Sequence, residues 1–394
     1  MPLTNKDVRR IAGLEINALN YSRALPDIVD GAKIKATSTP IYDINGVLLF
    51  RRFSLTRGRS GVGYADVATN EIFGEPLLST SIGAAWDEKA IIKEAAKAAG
   101  RHRRSLKYDR VRFVSYSFPK IAVQFLKRNK EVLMLEWGSW KEVPPIARGR
   151  EPMQPSNFER WSLIEEMPKR LKQKNTRKFK KRIGLWDTRK ARKIDPSVIK
   201  RKALDLSKIT IKLVDTREIH YSSRLTDHYP CYELRGQQTG VWCVAASAEM
   251  LLNFYRYQYD QIRLADELGL GTCAHPNGLP YSQVATVVTV LENLTSNNLD
   301  VTMHVNPGWS VFRNEIRANR PLISFVPGHS RTVAGYTQSM LYLPGKLPFK
   351  GLLVYDPWPP TDCSHPDAGG VITKWENFNT QTYQYAYSAE LQHI

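Results

Sequence analysis

Residues 236–247 read Gly236-Gln237-Gln238-Thr239-Gly240-Val241-Trp242-Cys243-Val244-Ala245-Ala246-Ser247. A Gly- and Thr-containing loop runs into Cys243. From there Val244, Ala248, Leu251, Leu252 and Tyr255 recur at helical spacing, which predicts an amphipathic helix starting at the cysteine. A thiol placed there meets unpaired backbone N–H groups and the positive end of the helix dipole, and both favour the thiolate.

Two later stretches complete a pattern. Pro321–Tyr336 reads as a buried strand, a short turn containing Gly328-His329 and a second strand. Gly351–Trp358 reads as an apolar strand ending in Asp356-Pro357. Cys243, His329 and Asp356 are what nucleophilic acyl transfer needs. A sulfur attacks, an imidazole takes its proton and later protonates the leaving amine, and a carboxylate fixes the imidazole's tautomer. The Cys243 backbone N–H and an upstream Gln amide can serve the developing oxyanion. His329 and Asp356 taken singly would read as a turn histidine and a turn carboxylate. The joint pattern turns the reading toward catalysis.

On these residues the chain resembles the papain-like cysteine peptidases, and within them the C39-like branch. Gln237 lies six residues before Cys243, the spacing of that superfamily's oxyanion glutamine, and the order Gln–Cys–His–Asp is the C39-like order. The Pro276–Pro280 stretch and Asn319-Arg320-Pro321 also fit, so the likeness covers roughly residues 230–380. It implies a helical half carrying Cys243, an antiparallel sheet half carrying His329 and Asp356, and a cleft between them. It further implies Gln237 as oxyanion donor, Cys243 as nucleophile, His329 as base and Asp356 as its orienter, acting on a peptide or protein substrate. No cofactor or metal is called for, but the thiol must stay reduced. The chain departs from the pattern in lacking a Gly beside the nucleophile, in carrying Trp242 before it, and in an insertion at Gln338–Lys350. Gln238 competes with Gln237 for the oxyanion role.

Outward from this region the charge is uneven. The chain of 394 residues carries +19. Residues 169–202 hold 16 basic and 2 acidic residues, while residues 203–394 carry 14 against 17. A segment so charged and so poor in apolar residues reads as a solvated tether. It can also contact a polyanion through its clustered Lys and Arg, or be cut by a protease. The expected organisation is therefore an N-terminal unit over 1–150, a basic linker over 151–204 and a catalytic unit over 205–394, in an α+β fold.

In the N-terminal unit Thr4-x-x-Asp7 predicts a helix start. The turn Asn45-Gly46 predicts a hairpin between Pro40–Asp43 and Val47–Phe53. Further strands are expected at Gly63–Val67, Pro76–Ser81, Arg112–Tyr116, Ala122–Leu126 and Val132–Trp137, in a curled antiparallel sheet. A helix is expected from Asp87 to Ala99, stopped by Gly100. His102, the unit's single His, lies in a basic surface run, and no catalytic cluster is found there. Through Ile41–Gly46 and its sheet order this unit resembles the cystatin-like inhibitory propieces that precede some papain-like peptidases. That likeness implies autoinhibition of the catalytic unit.

The four Cys exclude a disulfide-dense miniprotein. Cys273-x-His275 and Cys363-x-His365 match zinc-site spacing poorly, so Cys273 and Cys363 read as inert thiols, or as a disulfide if the protein is exported. Trp242 and Trp358 flank the expected site and can line a groove, and Arg331 can meet an acidic substrate group. No run of about 18 uncharged apolar residues is present, and the charged start leaves no room for a secretory signal. A cytoplasmic location is expected, or a secreted one if a signal has been removed. The same triad can also serve a transglutaminase-like acyltransferase or an amidase. A reading of another class is an inactive peptidase-like protein that grips a polyanion through its basic segment.

Overall fold

A computed structural model describes residues 3–22, 24–143, 160–187, 196–200, 210–219, 234–343, 345–364 and 370–392. The two expected unit boundaries, residues 188–195 of the basic segment, Cys231 and His365 lie outside the described residues.

Thr4 caps α1 (Asn5–Tyr21) through a capping box with Asp7, as the sequence predicts. Then follow β1 (Lys33–Ile34), β2 (Thr39–Asp43), β3 (Leu48–Arg57), β4 (Ser60–Ala68), β5 (Leu77–Ile82), α2 (Glu88–His102), β6 (Arg110–Ser117), β7 (Lys120–Lys127) and β8 (Lys130–Glu136). Helix α2 runs through Gly100 because that residue keeps a negative φ. A single helical glycine costs only about 1 kcal/mol against alanine, too little to end a helix whose other residues favour it. The unit's sheet is mixed, since β2 and β6 pair in parallel, Ile41 against Phe113. The crossover through α2 returns the chain beside β2 in the same direction, which a hairpin cannot do.

The second part comprises α3 (Leu163–Glu166), α4 (Lys169–Trp186), β9 (Thr210–Glu218), α5 (Cys243–Phe254), α6 (Gln261–Glu267), α7 (Thr286–Leu294), β10 (Leu299–Val305), α8 (Trp309–Arg317), β11 (Leu322–Val326), β12 (His329–Leu343), β13 (Gly345–Asp356), β14 (Ile372–Asn377) and β15 (Tyr385–Leu391). The insertion at Gln338–Lys350 extends the β12–β13 hairpin. No helix of the described residues is long and apolar enough to cross a membrane.

Half of the basic segment is thus a helix and not an extended tether. Asn175, Phe179, Arg182 and Trp186 recur at helical spacing on its buried face. Arg182 forms a two-pronged pair with the buried Glu15 of α1, both bonds at 2.7 Å. The composition hid this face because two of its four residues are polar and lie among lysines.

Among the described residues fifteen strands form one sheet, in the order β10-β15-β11-β12-β13-β14-β5-β4-β3-β2-β6-β7-β8, with β1 on β3 and β9 on β12. The join between the N- and C-terminal parts is antiparallel, with Lys374 of β14 opposite Ser81 of β5 and Glu376 opposite Ser79. One apolar core spans that join. Val8, Ala12 and Ile16 of α1 and Phe53 and Val67 of the N-terminal sheet pack with Val333, Tyr336, Leu352 and Trp375. A second core lies under α2, and a third joins α5, α6 and α7 to β11 and β15. Helices and a large mixed sheet packed in this way make an α+β protein.

Candidate active site

Cys243 is the first residue of α5, and Trp242 before it offers no side-chain cap to the first N–H groups of the helix. The preceding loop is braced on two sides. Gln237 N donates to Pro357 O (2.9 Å), and Thr361 N donates back to Gln237 O (2.7 Å). On the other side Gln238 N donates to Gln261 Oε1, and Gln261 Nε2 to Gly236 O, each at 2.9 Å. The loop that delivers the cysteine is thereby fastened to the chain just past Asp356.

His329 opens β12 after a tight turn in which Val326 pairs with His329. Gly328 has φ +70°, the left-handed conformation a Pro-Gly turn requires. Its N–H donates to the Tyr281 hydroxyl at 3.0 Å, which seats the turn. Asp356 ends β13. Its Oδ1 lies 2.6 Å from His329 Nε2 and also accepts from Trp358 N at 3.2 Å. Its Oδ2 accepts from Lys374 Nζ at 2.7 Å. The other imidazole nitrogen, Nδ1, is buried without a hydrogen bond among the described residues. Cys243 and His329 line the same small cavity, together with Leu279, Tyr281, Val284 and Phe325.

Three of the four sequence-read residues therefore converge, and the fourth is turned aside. Gln237 is fully buried and its Nε2 donates to Thr239 O at 2.6 Å, while its Oε1 has no partner among the described residues. Gln238 is buried, and its Oε1 is unpartnered too. Neither lines the cavity.

Burial dominates the electrostatics. It pushes the Cys243 thiol up, against the attraction of the Lys120 ammonium, so the thiolate expected at this helix start is not the favoured form here. Burial also depresses His329 to about 4, although Asp356 opposes the shift. Burial would raise Asp356 as well, but the Lys374 ammonium and His329 outweigh it and hold the carboxyl well below the usual carboxylate range. Near neutral pH the site holds a neutral thiol, a neutral imidazole and an ionised carboxylate.

Lys120, which brings its charge to the thiol, comes from the N-terminal part. It opens β7 after the tight turn Ser117-Phe118-Pro119, is buried at 1% exposure, and lies 5.5 Å over the Trp358 ring. Burial lowers its pKa, and Cys243, Glu136 and Asp356 pull it back up. Glu136 is itself held by the Tyr116 and Ser139 hydroxyls, both at 2.5 Å. Next to it Gly138, at φ +96°, presses so closely on the loop after Asp356 that a Cβ there would lie 2.4 Å from Pro359. Cys243, His329, Asp356 and Trp358 are all buried.

Several readings of single residues are corrected. Trp242 is a core residue, its indole N–H bonded to Leu270 O at 3.0 Å, and lines no groove. Arg331 is buried in a two-pronged pair with Glu376, both bonds at 2.8 Å, and meets no substrate. Cys273 and Cys363 are joined in a disulfide and are not inert thiols. His102 is exposed and bonds Trp140 O at 2.8 Å. Sequence reasoning missed Lys120, Gln261, Tyr281 and Lys374. Lys120 and Lys374 lie in alternating strands where lysine normally faces water, so no local signal sets them apart.

The family model described as Peptidase C39 like family matches residues 225–384, the stretch that contains every residue of this constellation except Lys120 and the groups around it. No curated protein matches the chain.

Proposed function

We propose that this chain, whose residues 225–384 form a C39-like peptidase domain, is a cysteine peptidase held closed by its own N-terminal part. The observation that carries the reading is the meeting of Cys243, at a helix start, with the His329–Asp356 pair at one cavity. In the reaction His329 Nδ1 accepts the thiol proton and the sulfur attacks the scissile carbonyl. The imidazolium then protonates the leaving amine. Water, deprotonated by the same nitrogen, releases the acid from the thioester. Asp356 holds the ring through Nε2 throughout, as the orienter in a triad does. The Cys243 backbone N–H serves the oxyanion, joined by the Gln237 amide once it leaves Thr239 O. The helices α5–α7 and the strands β11–β14 are then the two halves of a papain-like catalytic unit.

Closure is supported by the buried Lys120. Its ammonium lies close enough to Cys243, His329 and Asp356 to act on the charge of each, beside a nucleophile and base that both rest uncharged. The test uses the full chain and two alkylating probes, iodoacetamide and a bulky peptidyl epoxide. Their rate ratio is independent of how much thiolate is present and reports access alone. Cys243→Ala should abolish both covalent labelling at this position and hydrolysis of an unfolded protein substrate. Lys120→Ala should raise the epoxide rate relative to the iodoacetamide rate by tenfold or more, about 1.4 kcal/mol of closure energy. Hydrolysis surviving in Cys243→Ala removes the peptidase reading. An unchanged ratio in Lys120→Ala keeps the peptidase and removes the closure.

A further inference from the structure

The described triad ends at Asp356, but the buried chain of charge does not. Behind the carboxylate stand Lys374 and Glu376 on β14 and Arg331 on β12. Lys374 Nζ lies 2.7 Å from Asp356 Oδ2 and 4.0 Å from Glu376 Oε2. Glu376 takes both prongs of Arg331 at 2.8 Å and the Tyr383 hydroxyl at 2.9 Å. Their side chains are 10% exposed or less, so water does little to screen them. Lys374 and Glu376 are two residues apart on one strand and share a face, while Trp375 between them points into the core that spans the two parts of the chain. That strand is the one β5 holds by pairing Ser79–Ile82 with Thr373–Glu376.

We propose that Lys374 is a positioning residue of the reaction: its ammonium pins the outer oxygen of Asp356, which leaves Oδ1 to His329 and the Trp358 N–H, and β5 of the N-terminal part holds Lys374 there. A carboxylate without that contact can rotate about its Cβ–Cγ bond and present either oxygen, and the imidazole turns with it. The cation also cancels much of the carboxylate's pull on the imidazole proton, so His329 stays a neutral base ready to take the proton from Cys243. The charged groups facing the His329–Asp356 pair are Lys374 from β14, Arg331 from β12 and Lys120 from β7. Cys243 of α5 is the remaining titratable neighbour. Lys374 touches the carboxylate oxygen that His329 leaves vacant.

The assignment rests on the peptidase reading, and its test separates the two. In a Cys243→Ala background, where hydrolysis is absent, the His329 imidazole is titrated by NMR in the full chain. Lys374→Gln should move that titration upward by about one pH unit, a tenfold shift in the protonation equilibrium. Lys374→Arg, which keeps the cation, should return it close to the starting value. In the catalytically intact background Lys374→Gln should lower kcat with KM little changed. The acid limb of its pH profile, where the imidazole base is lost to protonation, should move the same way as the NMR titration. A His329 titration that stays put in Lys374→Gln overturns the assignment, whatever happens to stability. Should Lys374→Gln fail to fold, a titration displaced in the folded Lys374→Arg variant overturns it equally. Hydrolysis that survives Cys243→Ala would instead overturn the peptidase reading.

Discussion

The disulfide between Cys273 and Cys363 closes a loop across the C-terminal part, and its removal has a magnitude that can be worked out. Cys273 follows α6, on the side of the helices, and Cys363 follows Asp356-Pro357-Trp358, on the side of the sheet. The two are 90 residues apart in sequence. In the chain-entropy account a cross-link withdraws closure entropy from the unfolded chain as 2.1 + 1.5R ln n cal/mol/K. For this separation that is about 15 cal/mol/K, or about 4.6 kcal/mol at 25 °C. Both residues are half-buried, so Cys273→Ser with Cys363→Ser should leave only a small native-state cost to add to the closure entropy. With a urea slope of about 3 kcal/mol/M the midpoint of the paired variant should fall by about 1.5 M, and by less if the slope is steeper. Because the effect acts on the unfolded chain, the native site should be untouched. Iodoacetamide should label Cys243 in the folded variant at the wild-type rate. Equal urea midpoints for the oxidised wild type and the paired variant would refute the reasoning. A labelling rate that changes several-fold while the midpoint holds would show that the bridge shapes the native cleft and not the unfolded chain.

Two further outcomes concern buried charge. Arg331→Met strands Glu376 in a dry site with only Tyr383, Gln381 and a more distant Lys374 as partners. It should cost about 3 kcal/mol or more in urea unfolding, and Arg331→Met with Glu376→Met should recover most of that. Glu75 is raised to about 7 by burial, with Arg182 opposing and Glu15 adding to the shift. A carboxyl raised on folding binds its proton more tightly in the folded state, so its contribution is full below the unfolded value near 4.5 and is lost as pH rises to about 7. Glu75→Gln should therefore remove a fall in stability across that window of up to about 3 kcal/mol, read as the difference between urea midpoints at pH 4.5 and pH 7.

The parts of this molecule that were legible in the sequence are those governed by local rules. The capping box at Thr4, the helix start at Cys243, the Pro-Gly turn before His329 and the strand ending at Asp356 each follow from residues adjacent in the chain. Cys243, His329 and Asp356 could be singled out because they sit on elements whose ends are visible in this way. What stayed hidden depends on pairing between distant segments. Nothing in Ile372–Asn377 announces that its partner is Leu77–Ile82, so the sheet's continuity and the shared core were invisible. Lysine at 120 and at 374 reads as a solvent residue because burial of an ammonium is decided by what packs over it. The thiolate expected from the helix dipole fails for the same reason. A helix N-terminus contributes about 1 kcal/mol at an exposed site, and desolvation at this buried one is larger. The buried face of α4 shows the converse error, in which charge density concealed a helical stripe that packs.

The continuous sheet limits how a closed site could open. A propiece that departs entirely would uncover Val333, Tyr336, Leu352 and Trp375, whose partners on one side are α1 and the N-terminal strands. At about 1.5–3 kcal/mol for each large apolar side chain, that exposure alone costs on the order of 10 kcal/mol, as much as the whole stability of many domains. It would also strip β14 of the strand that places Lys374 and Glu376. The cover over Cys243, in contrast, is local. It consists of the turn at Ser117–Lys120, the residues around Glu136 and the contact of Gly138 on Pro359. Lifting that turn draws Phe118 away from Phe50 and Phe73, a smaller apolar loss than that of the whole join, and releases one buried ammonium into water, where its hydration favours opening. On the proposed reading the N-terminal part therefore does two opposed things from two places. Its β5 edge supports the catalytic carboxylate, and its β6–β7 turn blocks the nucleophile beside it. Activation would then be a movement of the turn with the edge left in place, and a chain cut back to the C39-like match should lose stability instead of gaining activity.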